Sequence, residues 1–161
     1  MSGLIAFPPK LAASDLAQLE PKAYTHYQTD FGPTRISVPF LGAQVGVERH
    51  PHKANSAREH TYWHMVTEGF PEEIRTSPMR DRLERVPWVR VVLEQAQHAD
   101  IKCWANARGS DRHFCLWHSK LNFLVVVKQT AQSYLLKTCY CPDPSRVRKL
   151  HTEYAQSRPR P

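Results

Sequence analysis

Four strand-like runs follow one another in the second half of this chain, and they constrain its fold more than any other feature. They are 101–106 (IKCWAN), 112–118 (RHFCLWH), 122–129 (NFLVVVKQ) and 133–141 (SYLLKTCYC). All are rich in the β-branched and aromatic residues that suit a pleated, half-buried surface. The joins between them are ARGSD, SKL and TAQ. A parallel crossover takes a dozen residues or more, whereas joins this short close hairpins. The runs therefore predict a four-stranded antiparallel meander.

Ahead of the meander the apolar period becomes helical. Met79, Leu83, Val86, Val89, Val92, Leu93 and Ala96 recur at helical spacing behind Ser77-Pro78. Pro87 falls inside that run and predicts a kink or two short helices. A short helix is expected over 13–20 with Ser14 as its N-cap. Another is expected over 54–67, opening on Asn55 or Ser56 and showing Tyr62, Met65 and Val66 as a stripe. The stretch 34–40 (TRISVPF) reads as an edge strand, because Pro39 cannot sit in a central one. Pro142 and Pro144 end the last strand, and a final helix should run from Ser145 to Gln156. The expected fold is α+β: N-terminal helices packed on one face of a four-stranded antiparallel meander sheet, with a C-terminal helix and the other face partly open. The expected organisation is an N-terminal arm with a short helix over 1–44, an α+β domain over 45–156 and a flexible tail over 157–161.

The chain has 161 residues, enough for one core, and 22 Lys and Arg against 15 Asp and Glu give it a net charge of +7. That surplus favours nucleic acid or an acidic partner. No run of apolar residues is long enough for a membrane span, and the N-terminus lacks the basic start and apolar run of a secretory signal. Cys103, Cys115, Cys139 and Cys141 read as small strand residues in a reducing compartment, so the expected location is the cytoplasm. A disulfide pair stays open, although the Cys139-x-Cys141 pair is too close to bridge to itself comfortably.

The densest chemistry lies in 49–64. His50, His52, His60 and His64 fall there together with Arg49, Lys53 and Arg58. On a helix, His60 and His64 would lie one turn apart on one face, a spacing open to two metal ligands. No HExxH motif is present, Glu59 points off that face and no cysteine pair lies nearby, so no metal and no cofactor are expected; a small metal-binding domain is the lesser reading. Metal-independent acid–base work fits better. Histidine titrates near neutral pH and can take the proton of a ribose 2′-hydroxyl, while arginine and lysine stabilise the charge growing on phosphate. Half-buried polar residues on an amphipathic helix are the bland alternative. Arg75, Arg80, Arg82, Arg85 and Arg90 surround the long helical run, with Asp81 and Glu84 interleaved, so phosphate contact and structural ion pairing both stay open. Arg90, set among valines, calls for a specific partner. On the last strand, Tyr134, Leu136, Thr138 and Tyr140 alternate with Lys137, Cys139 and Cys141. With Lys128, Trp117 and His118 on neighbouring strands, that pattern offers rings and cations to single-stranded RNA. Core packing is the favoured alternative for Trp104 and Trp117.

The run His60-Thr-Tyr-Trp-His-Met-Val-Thr-Glu-Gly69, the run Arg80-Asp-Arg-Leu-Glu-Arg-Val-Pro-Trp-Val-Arg90 and the four strands ending in Tyr134-Leu-Leu-Lys-Thr-Cys-Tyr140 resemble a group of small phage- and mobile-element-associated proteins of the barnase/EndoU/colicin/RelE-like nuclease superfamily. The resemblance covers about residues 45–155. It implies helices followed by a four-stranded antiparallel sheet, and cleavage of RNA without a metal, often as a toxin. It implies His60 or His64 as the helix histidine, Arg90 or Arg80 as the basic residue, and Thr138 and Tyr140 as the late-strand hydroxyls. Arg49, His52, Lys53, Arg58, Arg80, Trp117, Lys128 and Tyr134 are the expected RNA contacts. The implied partners are RNA and a cognate antitoxin or immunity protein, with no membrane. Some members of the superfamily bind RNA without cutting it, so a non-catalytic RNA- or protein-binding module of a phage or toxin–antitoxin system is the alternative.

Overall fold

The meander forms as the spacing predicts: β5 (Ile101–Arg108), β6 (Asp111–His118), β7 (Phe123–Gln129) and β8 (Tyr134–Tyr140) pair antiparallel in sequence order. In this computed structural model, which describes residues 3–33 and 35–157, Arg108 pairs with Asp111 and leaves a two-residue hairpin loop in which Gly109 takes φ 60°. At the next turn Asn122 adopts φ 53°, a left-handed conformation that asparagine tolerates, so β7 starts one residue later than its composition suggests.

The sheet is larger than the meander. β1 (Ile36–Val38) and β2 (Ala43–Gly46) pair antiparallel, and β2 then joins the outer edge of β8 in parallel. The result is a mixed six-stranded sheet in the order β1-β2-β8-β7-β6-β5, not a four-stranded antiparallel one. The edge strand expected over 34–40 is β1, but β2 is only four residues long and its parallel partner β8 lies about ninety residues on, so no local spacing announced their pairing. A separate hairpin, β3 (Pro51–His52) with β4 (Asn55–Glu59), occupies part of the segment expected to be helical. The helix there, α2 (His60–Val66), begins only after the hairpin ends.

The first helix, α1 (Leu16–Phe31), continues past the expected stop at Pro21. Its N-cap is Asp15 rather than Ser14: the Gln18 N–H donates to Asp15 Oδ1 at 2.9 Å. An interior proline costs a helix about 3 kcal/mol. Burying Leu19, Ala23, Tyr27 and Phe31, spaced four apart on one stripe, offsets that cost. The Pro87 break is as expected, with α3 (Arg80–Glu84) and α4 (Val86–Glu94) meeting at Arg85. The last helix is α5 (Pro144–Ser157).

Two cores flank the sheet. α1 to α4, with β1 and β2, cover Leu116, Phe123, Val125, Val127, Leu136 and Cys139 on one face. On the other, α5 lays the fully buried Leu150, with Val147 and Tyr154, over Trp104, Trp117, Leu124 and Val126. α5 therefore covers the part of the second face around Trp104 and Trp117, while Lys128, Leu135 and Thr138 on the same face are only half-buried, so the face is partly open as expected. Residues 1–44 are not a separate arm, because α1, β1 and β2 supply part of the first core and the sheet itself. Of the expected tail, 158–161 lies outside the described residues. None of the four cysteines forms a disulfide, and burial raises the pKa values of Cys103 and Cys139 to about 12. No described helix is long and apolar enough to cross a membrane.

Candidate functional site

The histidines of 49–64 converge at one corner, where α2 packs on β8 and the β3–β4 hairpin folds back on α2. Backbone hydrogen bonds set the geometry. The His60 N–H donates to the His50 carbonyl at 2.7 Å, the Thr61 N–H to the Glu48 carbonyl at 3.2 Å, and the Glu48 N–H to Thr61 Oγ1 at 2.8 Å. These bonds lock the extended segment 48–50 against the first turn of α2. The His60 ring stacks on His50 at 4.7 Å and on His52 at 5.0 Å between centroids, with His64 one helical turn on at 5.8 Å.

Charged groups complete the corner. Glu72 Oε1 stands 3.9 Å from His60 Nε2. Arg75 is held by three carbonyls, donating to Gly69 at 2.8 Å and to His64 and Thr67 at 2.9 Å each. Lys137, on β8, lies close enough for its charge to act on both His60 and His64. Burial, then Arg75 and Lys137, push the His64 pKa down to about 3. Burial also lowers His60, against the opposing pull of Glu48 and Glu72, and it lowers His52. All three rings are therefore neutral at physiological pH.

His52 has a fixed tautomer. The Ala54 N–H donates to its Nδ1 at 2.9 Å, so in the neutral ring Nε2 carries the proton. That buried Nε2 finds no hydrogen-bond partner among the described residues, and neither does His64 Nδ1. Two sets of side chains at this corner bring potential ligand atoms within 4.8 Å of one another: Glu48 with His50 and His60, and His52 with His60 and Glu72.

The other expected site residues are placed elsewhere. Arg90 caps the Asp30 carbonyl at 3.2 Å and pairs with Glu94 at 3.4 Å, away from the histidines. Thr138 pairs with Val126 and Tyr140 with Leu124, residues of the core beneath α5, so these hydroxyls belong to the opposite sheet face from α2. Tyr140 instead accepts from Arg146 Nε at 3.0 Å in a cleft of about 450 Å³ that it shares with Arg82 and three carboxylates, Glu68, Asp81 and Asp143. Against two arginines, those carboxylates make the cleft a poor seat for phosphate.

The expected RNA contacts do not form one surface. Trp117 is 1% exposed beneath α5, and Tyr134 is 5% exposed with its hydroxyl on the Leu41 carbonyl, so neither ring can stack on a base. Arg58 makes a bidentate bond to Glu20 at 2.7 and 2.8 Å. Arg49 pairs with Glu59, Arg80 with Glu84 and Lys128 with Asp111. His52 is at the corner but buried, and Lys53 is exposed beside it on the hairpin turn. The corner's carboxylates were missed in the sequence. Glu48 stands two residues before His50, the spacing that shares a face in extended chain, and so was within reach of pattern reading. Glu72 arrives through a turn and carried no signal.

No protein-family model, curated protein or solved structure matches the chain.

Proposed function

We propose that this chain acts on RNA as a metal-independent endoribonuclease of the barnase/EndoU/colicin/RelE-like kind, working at the histidine corner. One observation carries the reading: a neutral imidazole, His60, lies 3.9 Å from a carboxylate and within the field of a lysine, with three further imidazoles around it. Glu72, 3.9 Å from His60 Nε2, favours the charge that His60 takes on as base. His60 takes the 2′-hydroxyl proton, O2′ attacks phosphorus, and the bond to the 5′-oxygen breaks. The histidine cluster returns the proton to the departing 5′-oxygen. Lys137, with the field of Arg75 behind it, replaces Arg90 as the cationic support for the phosphorane. The products are a 2′,3′-cyclic phosphate and a free 5′-hydroxyl. The context that goes with this reading is a toxin, or a phage-defence or mobile-element nuclease, acting in the cytoplasm and controlled by an antitoxin or immunity protein.

A second reading is favoured by the placement of Thr138 and Tyr140 on the far face: a non-catalytic RNA- or protein-binding module using the same corner. Incubating the purified protein with total RNA in excess EDTA separates the two. Cleavage that the His60→Ala/His64→Ala double variant loses supports the nuclease. RNA left intact in EDTA but cut on adding a divalent ion sinks the metal-free mechanism. RNA bound but uncut in both conditions leaves the binding module.

A further inference from the structure

We propose that Glu48, His50 and His60 form a binding site for a divalent transition ion of the zinc class. The three side chains bring ligand atoms within 4.8 Å of one another. Two imidazoles and one carboxylate are a donor set that suits such an ion and leaves a coordination position for water. A tetrahedral zinc with ligands about 2.0–2.1 Å away needs those atoms about 3.3 Å apart. The closure required is small, and the exposed His50 side chain can rotate to make it.

Preorganisation is the second argument. Two backbone hydrogen bonds between 48–50 and 60–61, and a third from the Glu48 N–H to the Thr61 hydroxyl, fix the ligand-bearing positions before any ion arrives. No ion pair among the described residues involves Glu48, so its carboxylate is not already committed to a lysine or arginine. His60 is neutral and offers a lone pair without first losing a proton.

The neighbouring set, His52 with His60 and Glu72, is the weaker candidate for a chemical reason. The Ala54 N–H already occupies the His52 Nδ1 lone pair. Ligation through Nε2 would move the ring proton to Nδ1 and point it at that N–H, donor against donor. His50 has no such constraint among the described hydrogen bonds.

The site stands independently of RNA cleavage, but the two meet at His60. An ion bound there takes the lone pair that would accept the 2′-hydroxyl proton, so zinc is expected to inhibit any cleavage.

The test is calorimetric titration of the full-length, untagged protein with zinc chloride at neutral pH, followed by the same titration of Glu48→Gln, His50→Ala and Glu72→Gln, each checked for folding by thermal melt. One-to-one binding that Glu48→Gln and His50→Ala each weaken about tenfold or more is the expected result. Because His50 is exposed, His50→Ala remains informative even if Glu48→Gln fails to fold. Absence of saturable one-to-one binding, or binding that His50→Ala leaves unchanged, overturns the proposal. Binding lost in Glu72→Gln but kept in His50→Ala also overturns it and moves the ion to the neighbouring set. The readout is binding, so the outcome stands whether or not the protein cuts RNA.

Discussion

Truncating Leu150 to alanine tests whether α5 is packed into a core on the second face of the sheet. Leu150 is 0% exposed and is the only described α5 residue that is fully buried, seated over Trp104, Trp117, Leu124 and Val126. Removing its outer carbons takes away their burial and leaves a cavity, since the two tryptophans are held in strands and cannot collapse inward. Core leucines of this kind cost about 2–5 kcal/mol, and a site bounded by sheet on one side points to about 3. For a chain of this size each kcal/mol moves the melting temperature by about 2–4 °C, so the variant should melt about 6–12 °C lower. Urea unfolding followed by far-ultraviolet circular dichroism gives the free energy, and tryptophan emission reports on the face itself. A red shift in the folded baseline is expected if α5 loosens over Trp117. A loss below about 1 kcal/mol with unchanged emission would refute the reasoning, because α5 would then be resting on the sheet rather than packed into a core with it.

Other consequences are testable in the same way. Glu20→Ala removes the acceptor of the Arg58 bidentate pair and leaves the Tyr62 hydroxyl only the residue-20 carbonyl at 3.2 Å, and should cost about 1–3 kcal/mol in urea unfolding; an unchanged midpoint would contradict the role given to that pair. Burial lowers the pKa of His118 from 6.5, so the fold holds it neutral; this stability is fully present above about pH 6.5 and is lost as pH falls through the lower folded value. Acidification should therefore destabilise the wild type more than His118→Asn, and equal pH slopes would count against it. RNA binding, if it occurs at the histidine corner, should be only weakly salt-dependent. Most of the expected cations are paired, and two phosphate contacts would give a slope of log affinity on log salt of about −1.4. A slope several times steeper would place the RNA elsewhere.

Much of this architecture was legible in the residues, and the exceptions have physical reasons. The β5–β8 meander, the break at Pro87 and the C-terminal helix follow from local signals: strand composition with short joins, and proline where a backbone donor is missing. The start of α2 was misread because 55–59 has a helix-compatible composition, while its conformation comes from pairing with 51–52 and from the Arg58–Glu20 bond to a distant helix. The site shows the same division. The cluster of four histidines could be seen in the sequence, and so could a shared face for His60 and His64.

What the sequence determined by itself was the α+β class, the antiparallel run of β5 to β8 and the gathering of four histidines in 49–64. All three rest on interactions between residues close along the chain. The tertiary structure alone decided that β2 joins β8, that α5 packs over Trp104 and Trp117 on the second face, that Thr138 and Tyr140 turn away from the histidines, and that Glu72 and Lys137 turn toward them. These choices depend on contacts between residues far apart in sequence. Only the folded packing of α2 on β8 brings the candidate base, its carboxylate and its lysine to one corner.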